Sequence, residues 1–149
     1  MPREGGRLVE WDHVVSRLRA ATVYWIATVT PGGRPHVVPV WGALVAGQLY
    51  LETGDPDTIK NRNLAANGEV VVHLDGADDV VIVRGTAAVC RPRGAVADAI
   101  RAAMYAKYPD YSPVPGNWDV GGLVMVQPRT LLAWQDMPSA TRWRFGVEQ

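Results

Sequence analysis

The most constraining feature of this 149-residue sequence is a run of short β-type segments, separated by turn residues, between positions 21 and 74. Segment 22–30 is rich in β-branched and aromatic residues, which suit a pleated surface. Pro31-Gly32-Gly33 follows and predicts a tight turn, because glycine reaches positive φ without a steric penalty. Further strands are predicted at 34–43 and 48–53. Pro39 cannot donate to a β-ladder, so an edge strand, a bulge or a widened groove is expected around it.

The rest of the chain continues this pattern, with helices placed between strands. Helices are predicted at 10–20, at 93–107 and from a cap at Asp55 or Asp57 to about residue 66; strands are predicted at 69–74, 79–90, 122–134 and 141–145; and a loop is predicted at 108–118. About seven strands and three helices result. The fold predicted is mainly β with peripheral helices: an antiparallel barrel with its helices outside.

Two local features refine this prediction. Gly85 interrupts a strand, which indicates a bulge or a bend at a barrel corner. The third helix places an apolar stripe on one face, and that face is expected to pack inward. The stripe consists of Val96, Ile100, Ala103 and Met104.

Size, charge and cysteine content limit the classes of protein to consider. The length fits one domain over residues 1–149, with residues 1–8 expected to be flexible. Fifteen basic residues balance fifteen acidic ones, so no global field recruits nucleic acid or an anionic membrane. No apolar run approaches the roughly 20 residues of a membrane span, and Cys90 is the only cysteine. A soluble protein in a reducing, cytoplasmic setting is therefore expected.

The segment 53–63 is the first candidate binding element. Hydroxyls of Thr53 and Thr58, free amides at a helix start and the cations of Lys60 and Arg62 would converge on a phosphate. Lys60 is one of two lysines in an arginine-rich chain, which favours a specific role, although base composition gives the same bias. The alternative is a well-capped, solvated helix with two surface cations.

The strand at 34–43 is the second candidate. Side chains alternate along a strand, so His36, Val38 and Val40 face one way while Val37, Pro39 and Trp41 face the other. A planar ring can lie against residues 38–41, with unpaired backbone groups near Pro39 bonding its polar edge. The alternative is an ordinary barrel strand.

The C-terminal run Thr141-Arg142-Trp143-Arg144-Phe145 is the third candidate. Two arginines beside a tryptophan can stack on a cofactor or contact an acidic tail, while a strand with arginine rims is the alternative. Four tryptophans are expected to line either a dimer seam or the core. They are Trp41, Trp118, Trp134 and Trp143.

Other chemistries find little support in the residue pattern. His13, His36 and His73 fall on separate elements without zinc-ligand spacing, so no metal is expected. No serine lies in a nucleophile elbow, and no Rossmann or Walker glycine motif is present. The sequence offers few candidates for a general acid or a general base. This is typical of a protein whose cofactor carries out the chemistry. The loop beside a stacking strand points to a flavin-type nucleotide.

The order of several short motifs resembles one known family. The runs G-R-P-H-x-x-P-V-W at 33–41 and K-x-R-N-L at 60–64 resemble the pyridoxamine 5′-phosphate oxidase-like split β-barrel superfamily. With R-G-T-A at 84–87 and T-R-W-R-F at 141–145, they are similar to its deazaflavin-dependent branch, common in actinobacteria.

The resemblance implies a homodimer with a cofactor in each groove between subunits. Coenzyme F420 is the implied cofactor, with FMN as the alternative. Val38, Pro39, Val40 and Trp41 would contact the ring; Thr53, Gly54, Thr58, Lys60 and Asn63 would hold the ribityl chain and phosphate; Arg62 would bind phosphate or a polyglutamyl tail; and Trp143 and Arg144 would come from the partner chain.

The implied activity is hydride transfer from reduced F420 to an electron-poor small molecule, such as an enone, a quinone or a tetrapyrrole. No catalytic acid is identified, since solvent can supply the proton. The longer C-terminal motif of true pyridoxamine phosphate oxidases is not found after Phe145, so vitamin oxidation is not expected. The alternatives are an FMN-dependent oxidase or reductase, a non-catalytic flavin or deazaflavin carrier, and a dimer with an empty groove.

Overall fold

The computed structural model describes residues 7–52, 54–110 and 122–146, which form eight strands, three α-helices and a short 3₁₀ helix. The helices are α1 (Trp11–Ala20), α2 (Ile59–Ala66) and α3 (Gly94–Lys107), and the 3₁₀ helix is Met137–Ser139. The strands are β1 (Tyr24–Val29), β2 (Pro35–Val40), β3 (Gly42–Val45), β4 (Gln48–Glu52), β5 (Glu69–Leu74), β6 (Val80–Cys90), β7 (Leu123–Trp134) and β8 (Thr141–Arg144).

All eight strands belong to one antiparallel sheet that curls into a half-barrel. The strand order is β2-β1-β5-β6-β7-β4-β3, and β8 pairs with β7. β2 and β3 therefore form the two ends of the sheet, although they are consecutive in the chain. The prediction of a mainly antiparallel split barrel with peripheral helices is confirmed.

The predicted bulge at Gly85 is also present. The register between β6 and β7 shifts between Arg84 and Gly85. A Cβ atom at position 85 would lie 2.0 Å from the carbonyl oxygen of Gln127, so the bulge requires glycine on steric grounds. The bulge bends the two longest strands and helps curl the sheet.

The main core fills the concave side of this sheet. Alternate residues of β1, β4, β5, β6 and β7 point into it, which gives the period-two burial expected of a sheet with one packed face. α1 contributes Val14 and Leu18 to the same core. α3 packs on β3 through a second cluster that includes Ile100 and Met104.

The single strand predicted at 34–43 is wrong, because the structure divides it into β2 and β3. β2 pairs with β1, β3 pairs with β4, and Trp41 lies between them. Gly42 sits so close to β4 that an added Cβ would lie 2.8 Å from the carbonyl oxygen of Tyr50. The chain thus turns from one end of the sheet to the other within one residue, which raises the strand count from seven to eight among the described residues.

The predicted cap of α2 at Asp55 or Asp57 is also wrong. Thr58 is the N-cap, and its hydroxyl accepts a hydrogen bond from the Asn61 amide at 3.3 Å. Asp55 instead accepts from the Asp57 amide at 2.9 Å and so shapes the preceding turn. Threonine and aspartate side chains can each cap a helix or bond within a turn. Here Asp55 bonds within the turn, and Thr58 caps the helix.

The apolar stripe of α3 needs one correction. Val96 is 49 % exposed, whereas Ala97, Ile100 and Met104 are buried and Ala103 is half-buried. The inward stripe therefore follows the spacing 97, 100, 104 instead of starting at residue 96. The loop predicted at 108–118 falls largely outside the described residues.

Candidate functional site

A cavity of about 340 Å³ opens where the end of β2, the end of β4 and the start of α2 meet. It gathers seven of the residues selected from the sequence. They are Val38, Pro39, Val40, Trp41, Gly54, Thr58 and Lys60. His36 and Glu52 complete its lining. Two segments that the sequence marked as separate candidates thus form one site.

The free edge of β2 supplies one wall. The Thr30 amide donates to the Arg34 carbonyl at 2.9 Å, and hydrogen-bonded pairs alternate along an antiparallel ladder. By this alternation, Pro35, Val37 and Pro39 direct their backbone groups away from β1. Their carbonyl oxygens are therefore acceptors along the free edge, as the sequence reasoning expected near Pro39.

Trp41 gives the cavity a planar aromatic surface with a rigid support. Its ring stacks on Tyr108 at a centroid distance of 4.4 Å and an interplanar angle of 7°. The Tyr108 hydroxyl donates to the Thr22 carbonyl at 2.9 Å and accepts from the Gly42 amide at 3.0 Å. Because Trp41 remains 44 % exposed, it presents apolar area to a ligand from a fixed position.

Lys107 supports the same corner, and sequence reasoning did not select it. Its Nζ atom donates to the Tyr24 hydroxyl and to the Gly42 carbonyl, each at 2.9 Å. Burial lowers the pKa of Lys107 to about 8. The only signal in the sequence was the rarity of lysine, which marked Lys107 equally with Lys60.

Lys60 places a buried positive charge on the cavity wall. The side chain is 3 % exposed, and Nζ donates to the Asn61 amide oxygen at 3.1 Å. Burial lowers the pKa of Lys60, and the negative charge of Glu52 opposes that shift. A desolvated cation next to the N-cap of α2 favours an anionic ligand, because the helix start adds positive potential.

The other residues predicted on this loop take different positions. Arg62 is exposed on α2 and does not line the cavity. Asn63 is 3 % exposed and donates to the Thr28 hydroxyl at 3.0 Å, which ties α2 to β1. Thr53 lies outside the described residues.

The C-terminal candidates lie elsewhere in the same chain. Trp143 is half-buried, with its ring centroid 5.4 Å from that of Trp11 on α1. Arg144 is exposed at the end of β8. Neither lines the cavity, and their predicted approach from a partner chain stays a prediction. Trp134 is half-buried on β7, and Trp118 lies outside the described residues.

The histidines occupy three unrelated environments. His13 pairs with Asp79 at 2.8 Å, His73 stacks on Trp25 and His36 lines the cavity. Among the residues that the structure describes, no three His, Cys, Asp or Glu side chains converge as a metal site. Within the same residues, no helix is both long and apolar enough to cross a bilayer.

Comparisons with known proteins identify relatives of this architecture. A family model described as "Pyridoxamine 5'-phosphate oxidase" matches residues 11–130. No curated protein sequence matches.

Solved structures share the fold at low sequence identity. The conserved hypothetical protein Rv2991 of Mycobacterium tuberculosis is 18 % identical with a TM-score of 0.72, and the match covers 90 % of this chain and 89 % of that one. A protein described as an F420 reductase is 24 % identical with a TM-score of 0.60, over 87 % and 97 % of the two chains. A heme-binding protein of Mycobacterium smegmatis is 21 % identical with a TM-score of 0.63, over 84 % of this chain and 53 % of its own.

Proposed function

The chain belongs to the pyridoxamine 5′-phosphate oxidase family, and from this premise we propose that it is an oxidoreductase that uses the reduced deazaflavin coenzyme F420. Its acceptor would be an electron-poor small molecule of the enone, quinone or tetrapyrrole type. The similarity to a protein described as an F420 reductase supports this choice of cofactor. The motifs at 33–41 and 60–64 support it as well.

The observation that carries the proposal is the buried cation of Lys60 on the wall of an open cavity. A phosphate there would meet the Lys60 ammonium and the Thr58 hydroxyl at the start of α2. Phosphate binding would also offset the cost of burying the lysine charge. Gly54 has a φ of 65°, and no atom lies within 4 Å of a Cβ added to it. The space beside Gly54 is therefore open to a ligand.

The ring of the cofactor fits the opposite wall. The side chains of Val38 and Val40 and the ring of Trp41 offer apolar contact, and outward carbonyls of β2 can accept from the polar edge of a ring. The cavity holds part of such a cofactor in one chain. A second copy would close it, which is why we propose a homodimer with Trp143 and Arg144 contributed by the partner.

When bound, the coenzyme supplies a hydride, and the chain's own residues position and shield it. Lys60 and Thr58 anchor the phosphate end, so the ring is held at a fixed depth against β2. Trp41, supported by Tyr108, excludes water from the ring face. No side chain is assigned as the acid, and solvent supplies the proton.

FMN is the second candidate cofactor, because the matching family model is that of pyridoxamine 5′-phosphate oxidase. FMN lacks the polyglutamyl tail of F420. A substitution of the exposed Arg62 should therefore change the affinity for F420 and leave the affinity for FMN unchanged. A non-catalytic carrier would use the same contacts and differ only in lacking turnover.

The decisive experiment titrates F420 and FMN separately against the protein and follows tryptophan fluorescence. We expect saturable binding of F420, and at least a tenfold loss of affinity in Lys60→Met, which keeps the volume but removes the charge. Arg62→Gln should weaken F420 and leave FMN unchanged. Arg101→Gln, on the surface of α3, is the matched control.

Each outcome has a clear meaning for the cofactor site. No saturable binding of either cofactor would overturn the proposal, and equal dissociation constants for wild type and Lys60→Met would remove the phosphate role of Lys60. Tighter binding of FMN than of F420 would make FMN, instead of F420, the cofactor of this protein. Tight F420 binding without turnover of enones, quinones and tetrapyrroles would identify a carrier.

A further inference from the structure

A second cavity lies on the concave side of the sheet, beneath α1. Its volume is about 180 Å³, and none of its lining residues is shared with the cavity around Lys60. Its lining includes Trp11, Val15 and Arg19 from α1, Leu44 from β3, and Phe145.

The floor of this cavity is part of the hydrophobic core. Leu49, Val83, Val126 and Leu131 are each between 1 % and 6 % exposed, and all belong to the main core cluster. Protein cores are normally close-packed, so an apolar space of this size is unusual. A comparable engineered apolar cavity of about 150 Å³ binds benzene, which sets the size of a ligand that fits: one six-membered ring with a short substituent.

Aromatic side chains form the rim. The rings of Trp11 and Phe145 are 5.7 Å apart and tilted by 56°. Trp143 packs on Trp11 from outside the cavity at 5.4 Å. Tilted aromatic pairs of this kind accept a further ring by edge-to-face contact, so the rim favours an aromatic ligand over an aliphatic one.

Arg19 is the one charged residue among those lining this cavity. It lies in the last turn of α1, is exposed, and makes no hydrogen bond or ion pair within residues 7–52, 54–110 and 122–146. A guanidinium group binds a carboxylate through two parallel hydrogen bonds. An apolar cavity with one unpaired arginine at its edge therefore complements a molecule with an apolar body and one acidic group.

We propose that this cavity binds a monocyclic aromatic carboxylic acid, with the ring between Trp11 and the core and the carboxylate on Arg19. The site is separate from the cofactor cavity, so its occupancy does not depend on the proposed redox function.

The test uses phenylacetate as the probe and toluene as its neutral counterpart. In ¹⁵N-labelled wild-type protein, phenylacetate should produce saturable shifts in the indole signal of Trp11 and in amides of the lining residues. Arg19→Gln should weaken phenylacetate at least fivefold and leave toluene unchanged. Arg101→Gln, another helical arginine on the surface, should match wild type for both probes.

Two cavity-filling variants complete the test. Val15→Trp fills the space from α1, and Leu44→Phe fills it from β3; either should abolish binding of both probes while the folded amide spectrum is retained. If neither variant folds, the titration of the wild-type protein alone decides whether the proposal stands. No saturable shift with either probe, shifts confined to other regions, or undiminished binding in a folded cavity-filling variant would overturn the proposal.

Discussion

The two lysines of this chain both lie in environments that lysine rarely occupies. Lys60 is 3 % exposed beside the N-cap of α2, and Lys107 is half-buried between Tyr24 and the Gly42 carbonyl. Exposed cationic positions are filled by arginine instead, as at Arg62 and Arg129. Lysine carries a compact charge on a flexible stem and shifts its pKa readily when it is buried, whereas arginine stays charged.

Lys107 makes stability depend on pH in a predictable direction. Burial lowers the pKa of Lys107 to about 8 in the folded protein, from 10.5 for an ordinary lysine. Between these values the unfolded chain binds more protons than the folded one, so the free energy of unfolding rises as pH increases above about 8. Burial raises the pKa of Tyr24, which acts in the opposite direction only above pH 10.0, where an ordinary tyrosine ionises.

We therefore expect wild type to gain about 1 kcal/mol in the free energy of unfolding between about pH 8 and 9.5, after discounting for the partial exposure of Lys107. Lys107→Met should lose most of this gain and keep the part that comes from the lowered pKa of Lys60; it is less stable overall because two hydrogen bonds are removed. Chemical denaturation at the two pH values measures the difference. A gain in Lys107→Met equal to that of wild type would assign the effect to another group.

At the scale of elements, the sequence predicted best what local chemistry determines. The turn at residues 31–33 and the bulge at Gly85 could be found because glycine and proline act on their own backbone. The division at Trp41 could not be found, since residues 35–40 and 42–45 both favour strands and only their different pairing partners separate them.

In the candidate site, too, local motifs could be predicted from the sequence, whereas contacts made by tertiary packing could not. Residues 38–41, Gly54, Thr58 and Lys60 lie within two nearby runs of sequence, so motif reasoning could group them. Tyr108 reaches Trp41 only through the packing of α3 on β3, a contact that no local pattern encodes. Asn63 was predicted from its motif, and its buried bond to Thr28 reveals a role in attaching α2 to the sheet.

The cap of α2 can be tested by stability. Thr58→Ala should lower the free energy of unfolding by about 1 kcal/mol, because the Asn61 amide loses its acceptor. Asp57→Ala, at the neighbouring exposed position, should change it by less than about 0.5 kcal/mol. Urea unfolding followed by circular dichroism compares them, and a larger loss in Asp57→Ala would restore the aspartate as the cap.

At the scale of the whole molecule, the outer face of the sheet carries an apolar row. Val37 of β2 lies opposite Ala27 of β1, which in turn lies opposite Val71 of β5. Val37 is 48 % exposed, and Trp41 follows it at the rim of the cavity around Lys60. An apolar row next to an open binding cavity is the arrangement expected where a second copy completes a site.

The homodimer prediction follows from this row. Sedimentation velocity should give twice the chain mass for wild type and the single-chain mass for Val37→Asp, since burying an unpaired carboxylate is costly. Val96→Asp places the same substitution on α3, at a residue with a similar exposure of 49 %, and should leave the dimer intact. A monomeric wild type, or a dimeric Val37→Asp variant, would contradict the predicted interface.

The two prolines of β2 also determine what its open edge can recruit. Pro35 and Pro39 direct their backbone outward, and neither carries an N–H group, so Val37 is the one outward donor of this strand. A β-strand of another protein could donate hydrogen bonds to the outward carbonyl oxygens of β2, but only the N–H of Val37 could donate in return. A continuous ladder could therefore not form along this edge. The edge is thus protected against fibril-like aggregation while its carbonyls stay available to a small molecule.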